Sequence, residues 1–379
     1  MHKNGVKVLR VVTQASNRGL YGGPFDTARN QARIVDAGGF HVSLFAVHVR
    51  DDAPKATSGL RQRYFEGTYH LVQKPATLFS IRALRGLYSE VSLADVVHVS
   101  FSREAIPIIA CVMALAKRRR LVVQTHGMIY AKANLAFRVF DYLVIRPILR
   151  SSDRIICLTA NEVPRVEGLA GDLGGKAQIL GNPVLPFGVA ELNLRDGDEK
   201  PDDVLFLARL HPRKRVSVFA AAAGIALNED LEGHYSVVGP DGGCLNAVIE
   251  AASAAGSRLR YEGAIPGNDV RARISRCRIF VLTSFREPWG NGLVAAIASG
   301  KPVVLTASSD LAAELMEFGC AIVIPDDDAP ALARAVDSIL RDPELEARLA
   351  ARARAYAHEY FTDEKQLSRL QSAYGLDTA

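Results

Sequence analysis

The chain has 379 residues, 49% of them apolar and 23% charged, with a formal net charge of +5. Its length exceeds one ordinary domain of roughly 150 residues and points to two. The composition is that of a folded globular chain, which excludes a disordered or fibrous protein.

Residues 6–12 read as a strand interrupted by charge, which is not the pattern of a secretory leader, and no apolar run approaches the ~18 residues of a membrane span. Short β-branched runs then alternate with longer helical patterns, as parallel sheets with crossover helices require. A first series places strands near 6–13, 41–47, 94–100, 120–125, 154–159 and 177–181, with helices near 24–38, 77–90, 103–117, 131–151 and 160–170. A Gly/Pro/Asp/Glu-rich stretch over 186–201 reads as a linker. A second series follows with strands near 203–208, 234–239, 257–262, 278–283, 302–306 and 320–324. Beyond residue 327 the pattern is helical, with Asp328 as an N-cap and Pro343 in the first turn of the next helix. The expected fold class is α/β: two Rossmann-like, doubly wound parallel-sheet domains, residues 1–188 and 189–359, facing a central cleft. The final helix, about 360–379, packs back on the first domain.

Basic residues gather in the first half. Lys117, Arg118, Arg119 and Arg120 form a run, and Arg138, Arg146, Arg150 and Arg154 follow. Without interleaved aromatics or a known module, nucleic acid is not the expected partner. An anionic membrane surface or a phosphorylated acceptor suits the charge better. Phe79, Ile81, Leu84, Leu87 and Tyr88, interleaved with Arg82 and Arg85, form an amphipathic pattern whose first reading is core packing and whose second is membrane docking. The five cysteines, at 111, 157, 244, 277 and 320, stand singly without zinc-ligand spacing, as buried thiols of a reducing, cytoplasmic compartment would.

Two stretches carry the chemistry. Arg209-Leu-His-Pro-Arg-Lys214 leaves a strand and enters a helix, where two cations beside a helix N-terminus suit a diphosphate; a solvated basic turn is the alternative. Thr283-Ser-Phe-Arg-Glu287-Pro288-Trp289-Gly290-Asn291-Gly292-Leu293 runs from a strand through a Gly-rich turn with one carboxylate into a small-residue helix that can aim its N-terminus at an anion. Trp289 on its own reads as a core residue. Asp196-Gly-Asp198 and Asp326-Asp-Asp328 match a metal-binding string but read as loop and capping residues, so no metal is expected.

The second stretch resembles the signature of the retaining two-Rossmann (GT-B) glycosyltransferases of family 4. The resemblance runs through Gly22-Gly23, His126-Gly127, Asn182-Pro-Val184, Ala208 to Lys214, Val237-Val-Gly239-Pro-Asp241 and Tyr261-Glu-Gly263. It implies that Glu287 contacts hydroxyls of a donor sugar and that Arg209 and Lys214 neutralise its diphosphate. His126 reaches the transferred sugar, and Gly22, Gly23, Asn182, Gly239 and residues 288–293 line the donor. No cofactor is implied, since the nucleotide-diphosphate sugar is a substrate; the acceptor is a lipid-linked molecule or saccharide of cell-surface assembly. The chain departs from the pattern at Ala295, where after seven intervening residues the family carries a second glutamate that holds the ribose. Asn291 is a candidate replacement, and Glu314 matches a further family glutamate or is a helix-surface residue. The function expected is metal-independent retaining hexosyl transfer from a nucleotide-diphosphate sugar to a hydroxyl. A degenerate sugar-nucleotide-binding regulatory subunit and a sugar-nucleotide epimerase on the same fold are the alternatives.

Overall fold

The structure, a computed structural model, describes residues 5–16, 22–54, 59–70, 75–184 and 203–376; the expected linker and Asp196-Gly-Asp198 lie outside them. The chain divides into two compact units, Met1–Leu185 with Asp363–Ala379, and Pro186–Thr362.

In the first unit the elements run β1 (Lys7–Gln14), α1 (Gly22–Ala37), β2 (His41–His48), β3 (Arg61–Glu66), β4 (Thr68–Tyr69), β5 (Leu78–Phe79), α2 (Ile81–Leu93), β6 (Val96–Ser100), α3 (Ala105–Ala116) and β7 (Arg120–Gln124). Next come α4 (Leu135–Phe140), a π-helical turn (Asp141–Ile145), α5 (Arg146–Ser151), β8 (Arg154–Cys157), α6 (Val163–Ala170) and β9 (Ala177–Ile179). Seven strands form one sheet in the order β3-β2-β1-β6-β7-β8-β9, each neighbouring pair parallel, while β4 and β5 make a small antiparallel pair. All residues of β6 are buried, as expected of a strand covered by helices on both faces. The order reverses between β1 and β6, which makes their carboxyl ends a topological switch point.

The second unit contains β10 (Asp203–Leu207), α7 (Val216–Asn228), β11 (His234–Val238), α8 (Leu245–Ala255), β12 (Leu259–Gly263), α9 (Val270–Ser275), β13 (Ile279–Leu282) and α10 (Asn291–Ala298). It continues with β14 (Val303–Thr306), α11 (Ala312–Phe318), β15 (Ala321–Ile324), α12 (Ala329–Arg341) and α13 (Pro343–Tyr360). The six strands are ordered β12-β11-β10-β13-β14-β15, again all parallel, with the reversal between β10 and β13. Asp328 caps α12 by accepting from the Ala331 amide at 2.8 Å, and Pro343 opens α13 behind the Asp342 cap.

Three local readings need correction. The helix expected near 77–90 begins only at Ile81, where the Ser80 side chain caps it, because Leu78 and Phe79 pair as a short strand. The single helix expected over 131–151 is interrupted by the π-helical turn at Asp141–Ile145, whose Asp141 carboxylate is gripped by Arg103 at 2.7 and 2.8 Å. Residues 61–66, left unassigned by the sequence, form the edge strand β3, and Arg61 and Arg63 pair with the buried Glu90 of α2 at 2.8 and 3.3 Å.

The last helix, α14 (Asp363–Ala373), belongs to the first unit and packs on α1. Its Leu370 joins Phe25, Ala28 and Ala32 of α1 in one buried cluster, Gln366 donates to the Gly181 carbonyl at 3.1 Å, and the Tyr374 hydroxyl meets His98 Nδ1 at 2.9 Å. Leu370 is fully buried, so Leu370→Ala should cost the first unit about 2–5 kcal/mol in urea denaturation. A loss under about 0.5 kcal/mol, the size of a neutral surface change, would show that this helix is not part of that core.

Candidate functional site

The loop after β10 and the loop after β13 leave the two strands that flank the second unit's switch point. They are stitched together by one side-chain hydroxyl and one backbone amide. The Thr283 hydroxyl donates to the carbonyls of Lys214 and Arg215, both at 3.0 Å, and the Phe285 amide donates to the Arg213 carbonyl at 2.8 Å. The result is an ion pair between Lys214 Nζ and Glu287 Oε2, with Arg213 Nη2 3.9 Å from the other carboxylate oxygen. Glu287 is 5% exposed, and its backbone carbonyl accepts from the Asp310 amide at 2.9 Å, so the acid is held at both ends.

Arg215, in a left-handed conformation between Lys214 and α7, stacks 4.4 Å over Phe285 and pairs with Asp327 at 2.9 Å and Asp326 at 3.9 Å. The carboxylates of the Asp326-Asp-Asp328 string are thus engaged in an ion pair and a helix cap, and among the described residues no His/Cys/Asp/Glu cluster has a metal-binding arrangement.

Close backbone packing shapes the rest. A Cβ on Gly239 would stand 1.9 Å from the Ala208 carbonyl oxygen, and one on Gly292 would stand 3.1 Å from the Leu207 carbonyl oxygen. Glycine at these positions lets the β11 loop and the start of α10 close on the end of β10. Arg209 is exposed and lies along Gly242, where a Cβ would meet its Cγ at 2.9 Å. The structure therefore brings Lys214 and Glu287 into contact and sets Arg209 on the same loop, against the turn that follows β11. Gly290, at φ 72°, is the N-cap of α10; Pro288 is half-buried, Asn291 exposed and Leu293 fully buried. The Trp289 indole is buried and meets Phe361 edge-on, with 6.0 Å between ring centroids, so the ring serves the core and only its backbone belongs to the turn. Ala295 lies one turn after Asn291 on α10, and a methyl there accepts no hydrogen bond. Glu314 accepts from the Tyr356 hydroxyl at 2.6 Å, which ties α11 to α13.

In the first unit, His126 sits after β7 in a left-handed conformation (φ 50°), followed by Gly127 at φ 70°. Glu162, buried and unnoticed in the sequence, fixes this turn. Its Oε1 accepts from the Thr125 hydroxyl at 2.5 Å and the Gly127 amide at 2.6 Å, and its Oε2 accepts from the Leu158 amide at 2.6 Å. The only sequence signal was a glutamate soon after a strand. The imidazole Nε2 meets Ser100 Oγ at 3.1 Å, and Asn182 lies beside the ring.

Beneath lies Arg10, buried in β1 and bound to Gln31 at 2.8 Å, Gln124 at 3.0 Å and the His98 carbonyl at 3.1 Å, with no carboxylate among its described partners. Burial first, and the Arg10 charge second, push the His126 pKa down to about 3, against a smaller opposing pull from Asn182. Gly22 and Gly23 open α1, while residues 17–21 before them lie outside the described part.

The family model described as Glycosyl transferases group 1 matches residues 195–356, and that described as Glycosyl transferase 4-like domain matches residues 22–174. A lipopolysaccharide core biosynthesis glycosyltransferase of Rhizobium meliloti is 27% identical over 243 residues, 62% of this chain and 67% of that relative. Among solved structures, Anabaena HepE in complex with UDP-glucose superposes with a TM-score of 0.72 at 16% identity, over 97% of this chain and 99% of that one. WaaG, a glycosyltransferase involved in lipopolysaccharide biosynthesis, gives a TM-score of 0.70 at 17% identity, over 99% of this chain and all (100%) of that one. These two likenesses show a shared fold.

His126 should stay neutral from pH 8 to pH 5, as its imidazole ¹⁵N shifts will report; a midpoint above about 6, near the ordinary histidine value, would contradict the buried setting. Because the folded pKa is depressed, the unfolded chain binds the extra proton between about 6.5 and about 3. This residue's contribution to stability is full above that window and falls as pH drops through it.

Proposed function

The chain belongs to the group 1 glycosyltransferases, enzymes that use nucleotide sugars, and on that footing we propose that its 186–362 unit holds the donor diphosphate at the β10/β13 switch point. The observation that carries this reading is the Lys214–Glu287 pair beside the N-terminus of α10. Lys214, Arg209 and the first amides of that helix suit the negative charge that grows on the departing diphosphate, in the role a metal plays elsewhere. Glu287, pinned by its backbone and by Lys214, suits sugar hydroxyls as an acceptor. UDP-glucose is the first donor to test, because HepE was solved with it.

In the proposed retaining transfer of a hexosyl group, the bond from C1 to the phosphate oxygen breaks with its electron pair going to the diphosphate. The acceptor oxygen bonds to C1 on the same face, and its proton passes to the released phosphate. His126, held neutral, suits a hydrogen bond to a sugar hydroxyl and does not suit charge neutralisation. The acceptor is a lipid-linked molecule or saccharide of cell-surface assembly, in keeping with the lipopolysaccharide role of the Rhizobium relative.

Lys214→Ala should lower kcat/KM by at least about 10²-fold, the scale of losing one transition-state donor, with an unchanged circular dichroism spectrum. Full activity would remove Lys214 from the site. EDTA should leave turnover unchanged if no metal takes part, and a rate restored only by added Mg²⁺ or Mn²⁺ would refute that clause.

Ala295 favours a second reading, a nucleotide-sugar-binding subunit without turnover. Ala295→Glu should tighten UDP binding by about tenfold, the weight of one charged hydrogen bond. Unchanged affinity would place the ribose elsewhere. Binding of UDP-sugars by the native chain with no UDP release in the presence of cell extract would support the second reading.

We also propose a working place on an anionic membrane surface, through a face additional to the α2 face that the sequence suggested, where Ile81 (69%) and Tyr88 (54%) are exposed beside Arg82 and Arg85. Within the basic run, Lys117 stacks on Tyr88, Arg119 donates to the Ser92 carbonyl at 2.6 Å and Arg120 reaches the Ala373 carbonyl at 3.4 Å. Residues 133–139 are exposed on all sides, and Leu135 (70%), Phe137, Val139, Tyr142 and Leu143 present apolar surface beside Arg138, Arg146 and Lys132. Apolar anchors flanked by cations suit the headgroup region, with ~1 kcal/mol for each cation near the surface. Leu135→Ser with Phe137→Ser should abolish co-sedimentation with phosphatidylglycerol vesicles, and equal sedimentation of variant and native chain would refute this face. No helix among the described residues is long and apolar enough to cross a membrane.

A further inference from the structure

Glu162 is fully buried at the N-cap of α6, yet its side chain makes no capping bond to that helix. It turns back to the ends of β7 and β8, where Oε1 takes the Thr125 hydroxyl and the Gly127 amide and Oε2 takes the Leu158 amide. Thr125 and Gly127 are the two chain neighbours of His126, so a single acid grips the chain immediately before and after the residue that carries the imidazole.

The turn needs such a grip. His126 stands at φ 50° and Gly127 at φ 70°. Glycine enters that region freely, whereas a residue with a Cβ stays there only where its surroundings over-determine the backbone. Thr125 is tied further to β8, its amide and hydroxyl both donating to the Ile156 carbonyl, at 3.1 and 3.3 Å. The direction of the ring follows from the backbone, and in this turn Nε2 meets Ser100 Oγ, at the end of β6, at 3.1 Å.

A buried acid between two strand ends often serves stability alone. Two features set Glu162 apart. Each carboxylate oxygen is met by a backbone amide, which only donates, so the side chain has to accept at both ends; a glutamine would turn its own NH2 on one of those amides. Two of its three bonds, moreover, go to the residues flanking a left-handed histidine and none goes to the helix that Glu162 begins.

We propose that Glu162 is a positioning residue for sugar transfer, setting the rate through the placement of His126 and making no contact with substrate itself. The inference rests on the reading that His126 hydrogen-bonds a sugar hydroxyl, and it adds the group that makes that contact available. A displacement of about 1 Å near the reacting centre costs on the order of 10²-fold in rate. A loosened turn is therefore read in kcat, while the diphosphate contacts proposed for the other unit are left in place.

The test uses the full chain with UDP-glucose and cell extract as acceptor source, together with ¹³Cα and ¹³Cβ shifts of His126 in histidine-labelled protein, which report its φ. Glu162→Gln should lower kcat by about 10²-fold, with the KM for UDP-glucose within about twofold, inside ordinary mutational scatter, and should move the His126 shifts away from left-handed values. On a His126→Ala background the same change should cost no more than about twofold, because the two residues act as one unit. Thr125→Val, which removes one donor and leaves the acid in place, should lower kcat in the same direction and serves if Glu162→Gln fails to fold. Losses that multiply in the double variant would overturn the proposal by giving Glu162 a role independent of His126, and so would unchanged His126 shifts in the folded variants. Shifts that move in a chain that releases no UDP would support the positioning and count against the transfer reading alone.

Discussion

The ion pair between Lys214 and Glu287 joins the loops that leave β10 and β13, the strands on either side of the second unit's reversal in strand order. Neither side chain could be held there by its own loop. Thr283 bridges two carbonyls of the basic loop, Phe285 binds a third, and the Asp310 amide anchors Glu287 from the β14 side. Glu287 is buried, so without Lys214 its charge would be offset only by Arg213, 3.9 Å away. The pair therefore fixes the geometry of the basic loop, the Gly-rich turn and the start of α10 together, and the chemistry proposed for the unit depends on that alignment.

The first unit solves a related problem differently. Its interior strand β1 carries a buried guanidinium, Arg10, bound to two glutamines and a carbonyl with no acid among its described partners. The charge is dispersed over neutral dipoles, and its field adds to burial in keeping His126 uncharged. Glu162 then sets the backbone on both sides of that histidine through a side-chain hydroxyl and two amides. A neutral, oriented imidazole suits hydroxyl recognition, while cations and the helix N-terminus of the other unit suit phosphate. The two units thus present different chemistries at the carboxyl ends of their strands.

Much of this was legible in the sequence because buried parallel strands are continuous β-branched runs, which is how β6, β7, β13 and β14 declared themselves. The edge strand β3 did not, since Arg61-Gln-Arg-Tyr-Phe-Glu66 is half polar and earns its place by ion pairs to Glu90 across the fold. Lys214 and Glu287 were readable as charged residues in Gly-rich or basic loops at strand ends. Glu162 was not, because its significance lies in contacts with Thr125 and Gly127 that no local spacing encodes. Trp289 misleads by its place in the signature stretch: the turn needs its backbone, and the ring belongs with Phe361.

The most direct measurement of the central claim is a crystallographic difference map of the protein soaked with UDP. The account predicts the diphosphate at the rim of the 203–324 sheet, its terminal phosphate within hydrogen-bonding reach of Lys214 Nζ and the first amides of α10. A diphosphate found on the β1/β6 rim, or touching neither Lys214 nor that helix, would contradict it.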